Sequence, residues 1–303
     1  MSLKLRTTVS IFIIAISGRV NSQGCSDAGI CSIGGLKQHH SDTMSWVKNS
    51  VNVGLGYGLA QYEVNILNGL LEYSHHFSAH FTVSAKATYS LLSGPVATNS
   101  GLSDFYLTAQ YKFSSNISPV LGIKLPFTHS DKSWRNKPLP MSYQTSLGTA
   151  DLLAGISLTR KKWTFSMGIQ YPFVQNNNAF SKAKYDTTSI DNRYIDTRGY
   201  TRKPDAMFRA YYYWQLKSPD WEVIPGVLFI FHSANDTYED NNSNSVEILK
   251  SKGLTVNLNA QITYRIHTSG KLKLVLGAPI VSRKSRPEGL SQATIQFEYA
   301  AQL

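Results

Sequence analysis

The stretch LTVNLNAQITYRI, residues 254–266, decides the fold. Leu254, Val256, Leu258, Ala260, Ile262, Tyr264 and Ile266 alternate without a break with Thr255, Asn257, Asn259, Gln261, Thr263 and Arg265. Successive side chains of an extended strand point to opposite faces, so a period of two places every apolar residue on one face. A helix would show a 3.6-residue period instead. The pattern recurs in 81–92 (FTVSAKATYSLL), in 104–113 and in 163–173. It predicts that Phe165, Ile169, Leu258 and Ile262 lie on one face, and Gln170, Asn257, Asn259 and Gln261 on the other.

A soluble β-sandwich alternates too, so the solvent is chosen by other features. The segments run to about ten residues or more, the length of a tilted bilayer crossing, against about five or six for soluble strands. Aromatic residues sit near their ends, as in Phe81 and Tyr89, Phe105 and Phe113, Trp163 and Phe173, and Trp221 and Phe231. Connections alternate in length. Short turns fall near 76–80, 114–116, 161–162, 218–220 and 268–270, and long polar stretches at 93–101, 129–147, 176–204, 234–252 and 282–289. Short turns at one rim and long loops at the other are the signature of an outer-membrane barrel.

The expected strands are 50–60, 65–75, 81–92, 102–113, 117–128, 148–160, 163–175, 205–217, 221–233, 253–266, 271–281 and 290–301. The fold class is therefore all-β, a single transmembrane antiparallel barrel of roughly twelve strands. An even number places both termini on the periplasmic side, with a short extracellular connection near Gln61–Val64. Composition agrees. Charged residues are 16% of the 303, against a usual ~25%, and aromatics are 12%, which excludes a disordered chain. Beyond the extreme N-terminus no apolar run approaches the ~20 residues of a spanning helix.

The N-terminus reads as an export signal, with Lys4 and Arg6 before the apolar Val9–Ile16 and small or permitted residues at Val20, Asn21 and Ser22. The expected organisation is a signal peptide at 1–22, a periplasmic segment at 23–49 and the barrel at 50–303. In an oxidising compartment Cys25 and Cys31 can pair locally. Lipidation of Cys25 is the alternative, although Ser22-Gln23-Gly24 is a poor lipobox.

The predicted inner face carries Lys86, Lys112, Lys124, Arg209 and Arg265 against Asp104, Asp151, Glu222 and Glu298, within a chain of formal net charge +11. Either this is a basic path for anionic solutes or the charges pair and brace a narrow lumen. Tyr106, Tyr211 and Tyr213 also point inward and offer apolar faces with hydroxyl handles. Lys124, Arg209, Tyr106, Tyr211 and Tyr213 are thus the candidate ligand contacts. Pro126, Pro172, Pro225 and Pro279, two of them beside Gly226 and Gly277, mark either kinks that open the wall or strand ends. His75, His76 and His80 flank a turn without a carboxylate or thiol to complete a metal site. Asn235–Ser245 is rich in oxygen but lacks calcium-loop spacing. His232-Ser233 invites comparison with lipid hydrolases of the outer membrane, yet adjacent residues on a strand face opposite ways. No enzyme, cofactor, metal or nucleic-acid partner is expected.

Several stretches resemble the outer-membrane "MetA-pathway of phenol degradation" family, itself similar to fatty-acid-transporter barrels. They are Gly101-Leu102-Ser103-Asp104 leading into Leu107–Phe113, then Val120-Leu121-Gly122-Ile123-Lys124-Leu125-Pro126, Leu147-Gly148-Thr149-Ala150-Asp151 and Ser285-Arg286-Pro287-Glu288-Gly289-Leu290. The Cys25–Cys31 segment resembles the start of exported proteins of the Bacteroidetes group. The resemblance implies passive uptake of small hydrophobic or aromatic solutes through the outer membrane, with lipid and solute as partners. Tyr106, Tyr211 and Tyr213 beside Lys124 and Arg209 would suit a solute with an apolar body and an anionic end. The alternative is a structural barrel whose long loops bind a surface partner.

Overall fold

The computed structural model describes residues 47–289 and 293–303, so the expected signal peptide and the Cys25–Cys31 pair lie outside the described residues. Twelve strands build the wall: β1 (Asn49–Leu59), β2 (Asn65–His76), β3 (Phe81–Ser93), β4 (Thr98–Tyr111), β5 (Ile117–Pro126), β6 (Ala150–Arg160), β7 (Trp163–Val174), β8 (Asp205–Tyr212), β9 (Trp221–His232), β10 (Gly253–His267), β11 (Gly270–Val281) and β12 (Ala293–Gln302). Each pairs antiparallel with the next, and β12 returns to β1, from Ser50 opposite Gln302 to Leu59 opposite Ala293. The sheet is closed. The eighth wall segment breaks once at Tyr213, and Trp214–Gln215 continues it against β9. Eleven of the twelve strands are ten residues or longer. Among the described residues no helix is long and apolar enough to cross a membrane.

The faces fall as the alternation requires. Leu258 is 50% exposed on the outside, with Leu55, Leu121, Met167, Ile169 and Phe297 in the same belt, whereas Asn257, Asn259, Gln261 and Gln170 are buried inside. An apolar belt of this extent is a liability in water and the required surface in lipid. Rings cluster near the rims, with Trp163 against Tyr212 at 5.1 Å and Trp221 against Tyr264 at 4.7 Å.

One connection differs from the sequence reading. Residues 93–101 are not a long loop; β3 runs to Ser93 and β4 begins at Thr98, so only four residues turn, with Gly94 N–H donating to Ala97 O at 3.1 Å. The reason is a bulge. Ala87 opposes Phe105 and Tyr89 opposes Leu102, so Thr88 faces both Ser103 and Asp104. Its Oγ1 donates to Asp104 O and accepts from Asp104 N, each at 3.1 Å. The extra residue shifts the alternation by one, which hides the first turns of β4 from a period-two reading. The prolines also resolve. Pro126 ends β5, Pro172 and Pro279 sit at register shifts, and Pro225 is paired in register within β9, so the wall stays closed at all four.

Arg in place of Leu258 should lower unfolding free energy by about 2–4 kcal/mol near the bilayer midplane. Arg at Gln261, which faces the lumen, should cost far less. Urea titration of the protein folded into liposomes reads both, and equal costs would contradict the register.

Candidate functional site

The long loops converge on one mouth of the barrel. From Leu139 to Thr149 every residue except Leu147 is buried, an unusual density for a connection. Tyr143, wholly buried, anchors the segment: its O accepts from Asn99 Nδ2 at 2.8 Å, and its hydroxyl meets Val96 N at 3.1 Å and Tyr194 OH at 3.2 Å. Asn178 binds the loop from above, donating to Ser130 O at 2.8 Å and to Leu139 O at 3.1 Å. Ala60, Val64, Ile66, Leu92, Leu139, Tyr143, Phe180 and Tyr194 form one apolar cluster that joins three loops to the wall. Gly148 needs its positive φ of 68°, and a Cβ there would stand 2.7 Å from the His129 carbonyl carbon. The 127–149 connection is therefore a plug seated in the mouth.

A chain of buried charges fastens the loops to the wall. Lys124 Nζ on β5 lies 2.9 Å from Asp151 Oδ2 on β6 and donates to Thr149 Oγ1 at 2.9 Å. Arg202 bridges Asp151, at 3.5 Å, and Asp205. His232 stands between Asp205 Oδ1, 2.6 Å from Nδ1, and Asp236 Oδ1, 2.8 Å from Nε2. Tyr200 OH donates to Asp236 Oδ2 at 2.9 Å, and Arg283 pairs with Glu288. Burial alone would depress the Arg202 guanidinium, but Asp205 and Asp151 hold it above its ordinary value. Burial, then the Asp236 carboxylate, pushes the Tyr200 phenol well up. Breaking a buried pair leaves an uncompensated charge, so Arg202→Ala should cost about 3–5 kcal/mol. The loss should register in the urea midpoint and in faster proteolysis between residues 175 and 204.

Beneath the plug lies a cavity of about 190 Å³, lined by wall residues of β2–β4, β8 and β10–β12 and by Ser142, Gln144–Leu147 and Gly289 of the loops. Tyr106 and Arg209 line it, with Lys86 held 4.2 Å over the Tyr106 ring. Ile66, Leu92 and Val275 add apolar surface, and Asn68, Asn259, Gln261 and Gln296 add amides. Its charges balance: Lys86, Arg209 and Lys273 against Asp104, Glu288 and Glu298. Three of the sequence candidates lie elsewhere. Lys124 is bound into the charge chain and 1% exposed, and Tyr211 and Tyr213 cluster with Ile224.

The remaining motifs go to structure. His232 faces inward and Ser233 is exposed, so the two do not meet. His75, His76 and His80 each hydrogen-bond, to Asn49, Thr82 and Lys112 O, and no metal-holding cluster occurs among the described residues. Asp240, in the oxygen-rich loop, accepts from the N–H groups of Asn242 and Asn244, both at 2.8 Å. Sequence reasoning missed Arg202, Asp236 and Arg283, since each lies in a loop whose path no periodicity reveals. It also missed an apolar inner strip, Val120, Leu153, Met207, Leu228 and Ile230, packed with Tyr106. On β9 a signal existed: Ile224, Leu228 and Ile230 fall in phase with Glu222 and His232.

No family model matches the chain, and no curated protein matches it either. Solved structures do. An outer membrane channel from Pseudomonas putida F1 aligns over 88% of this chain and 100% of its own, at 12% identity and TM-score 0.57. The chain is an outer-membrane β-barrel. The NanC porin, at 11% identity and TM-score 0.47 over 84% of this chain and 100% of its own, is more distant. So is the CymD monoaromatic hydrocarbon channel, at 10% and 0.44 over 93% and 98%. At these identities the likeness concerns the fold.

Proposed function

We propose that the barrel is a channel of the outer membrane, allied to the phenol-degradation family that the sequence resembles. It passes small hydrophobic or aromatic solutes, including ones with an anionic end. The observation that carries this reading is the internal cavity, where Tyr106 and Arg209 meet apolar Ile66, Leu92 and Val275 under a loop plug. An apolar body packs against the aromatic and aliphatic lining, and a carboxylate finds charge-assisted hydrogen bonds from Arg209. Tyr211 and Tyr213, packed with Ile224, lie beyond Arg209 toward the short-turn rim. Lys124 serves by holding the plug.

The buried segment Leu139–Thr149 favours a second reading, a barrel shut by its own loops that binds a surface partner through 176–204. Flux separates the two. Liposomes carrying the protein should admit aromatic acids faster than protein-free ones, with fatty acids and sugars as comparison solutes. Arg209→Ala should slow the acids several-fold, and Tyr211→Ala should slow them less. Absence of any flux above protein-free liposomes would leave the loops as the seat of function.

A further inference from the structure

Two loop segments are joined where the wall ends at β9, β10 and β11. Arg283 Nη1 donates to Ser251 O at 2.8 Å, and Ser285 N–H donates to Lys250 O at 3.1 Å. Lys284 is thereby set beside the segment Lys250–Lys252. Lys250, Lys252 and Lys284 are all exposed, and among the described residues no ion pair or hydrogen bond occupies their ammonium groups. Residues 248–254 and 280–287 contain no carboxylate. The acids just beyond are engaged: Glu288 pairs with Arg283, and Glu247 accepts from Asn235 Nδ2 at 3.0 Å. Beside the lysines the outer surface is apolar. Leu254 lies opposite Phe231, Val281 lies opposite Val256, and Leu254, Phe231, Ile280 and Val281 are all exposed at the end of the lipid-facing belt. In the loop itself Ile248 is buried in a cluster with Met141 and Tyr200, whereas Leu249 is 70% exposed.

We infer that this patch is a lipid site: Lys250, Lys252 and Lys284 receive the phosphate of a phosphorylated glycolipid of the lipid A type. Its acyl chains lie along Leu249, Leu254, Phe231, Ile280 and Val281. The longer loops of such a barrel lie on the outer side, so the lipid at this level is that of the outer leaflet. Lysine suits the position. Its stem packs on apolar surface while the ammonium reaches headgroup level. A phosphate monoester carries about −1.5 to −2 charges near neutral pH and offers three acceptor oxygens, which several ammonium groups can share. A phosphodiester headgroup carries less charge and needs fewer. A free anion in water gains little from exposed lysines. A lipid is already held by its chains, and each cation at the membrane surface then adds to the attraction. Leu249, bare beside Lys250, gains an apolar neighbour in the same step.

The test titrates the full barrel, in a neutral maltoside detergent, with three lipids: lipid A, the same glycolipid after dephosphorylation, and phosphatidylglycerol. Native mass spectrometry counts the bound lipid. Lipid A should bind roughly tenfold or more tightly than either of the others. Lys250→Gln, Lys252→Gln and Lys284→Gln combined should weaken lipid A binding roughly a hundredfold, at about fivefold per lysine. Lys161→Gln, Lys162→Gln and Lys217→Gln combined remove the same charge from exposed residues at the short turns and should leave it unchanged. If the first triple variant fails to fold by heat-modifiable gel migration, Lys284→Gln alone carries the test, with a loss of about fivefold. Equal binding of the dephosphorylated glycolipid or of phosphatidylglycerol overturns the inference. So does an equal loss in the two triple variants, which would make net charge the cause. The channel reading rests on flux and stands or falls separately.

Discussion

Hydrocarbon accepts no hydrogen bond, and every other feature of this barrel follows from that constraint. A strand in lipid must pair on both edges, so the sheet has to close, and β12 returns to β1 along ten residue pairs. Closure then divides each strand into an outer face that must be apolar and an inner face free to vary. The outer belt of Leu, Ile, Met and Phe answers the first demand. The inner face uses its freedom in three ways: an apolar strip, a polar cavity and a chain of charges.

The linked charged side chains of the lumen are almost wholly buried, none of them more than 4% exposed. Lys124, Asp151, Arg202, Asp205, His232 and Asp236 form one connected series across β5, β6, β8, β9 and two loops. Each ion alone would carry a large desolvation cost, and each is offset only by its neighbours. Such a series has one satisfactory arrangement, and the loops that supply Arg202 and Asp236 are held to it. The plug itself touches the series at Thr149, which accepts from Lys124, and is otherwise held by the apolar contacts of Tyr143, Phe180 and Tyr194. The basic surplus of the sequence therefore does not amount to a positive tunnel; the inner cations that line the cavity are matched by carboxylates.

Asparagine and glycine act jointly on β10. Asn259 would be an ordinary lumen amide if polar side chains stood beside it, but Gly226 and Gly277 flank it in register. Glycines that read along the chain as possible weak points of the wall are, in three dimensions, the residues that leave one buried amide without a cross-strand side chain to bond. Pro279 acts similarly on Asn257, occupying the neighbouring position without offering a donor.

Sequence alone determined the wall. A period of two, ring-bearing strand ends and alternating connection lengths are local properties, and local properties suffice for a structure whose outer solvent is uniform. Strand order, register faces and the inward direction of Tyr106, Lys124, Arg209, Tyr211 and Tyr213 were all legible in this way. The first turns of β4 were not, because the bulge at Thr88 shifts the phase by a pairing that exists only across strands. Only the tertiary structure decided how the lumen is filled. Whether Lys124 meets a solute or Asp151, whether Leu139–Thr149 hangs outside or enters the mouth, and which amide is left without a partner depend on residues far apart in the chain. Side-chain bonding across a closed barrel has no period, and so it leaves no trace in the order of residues along one strand.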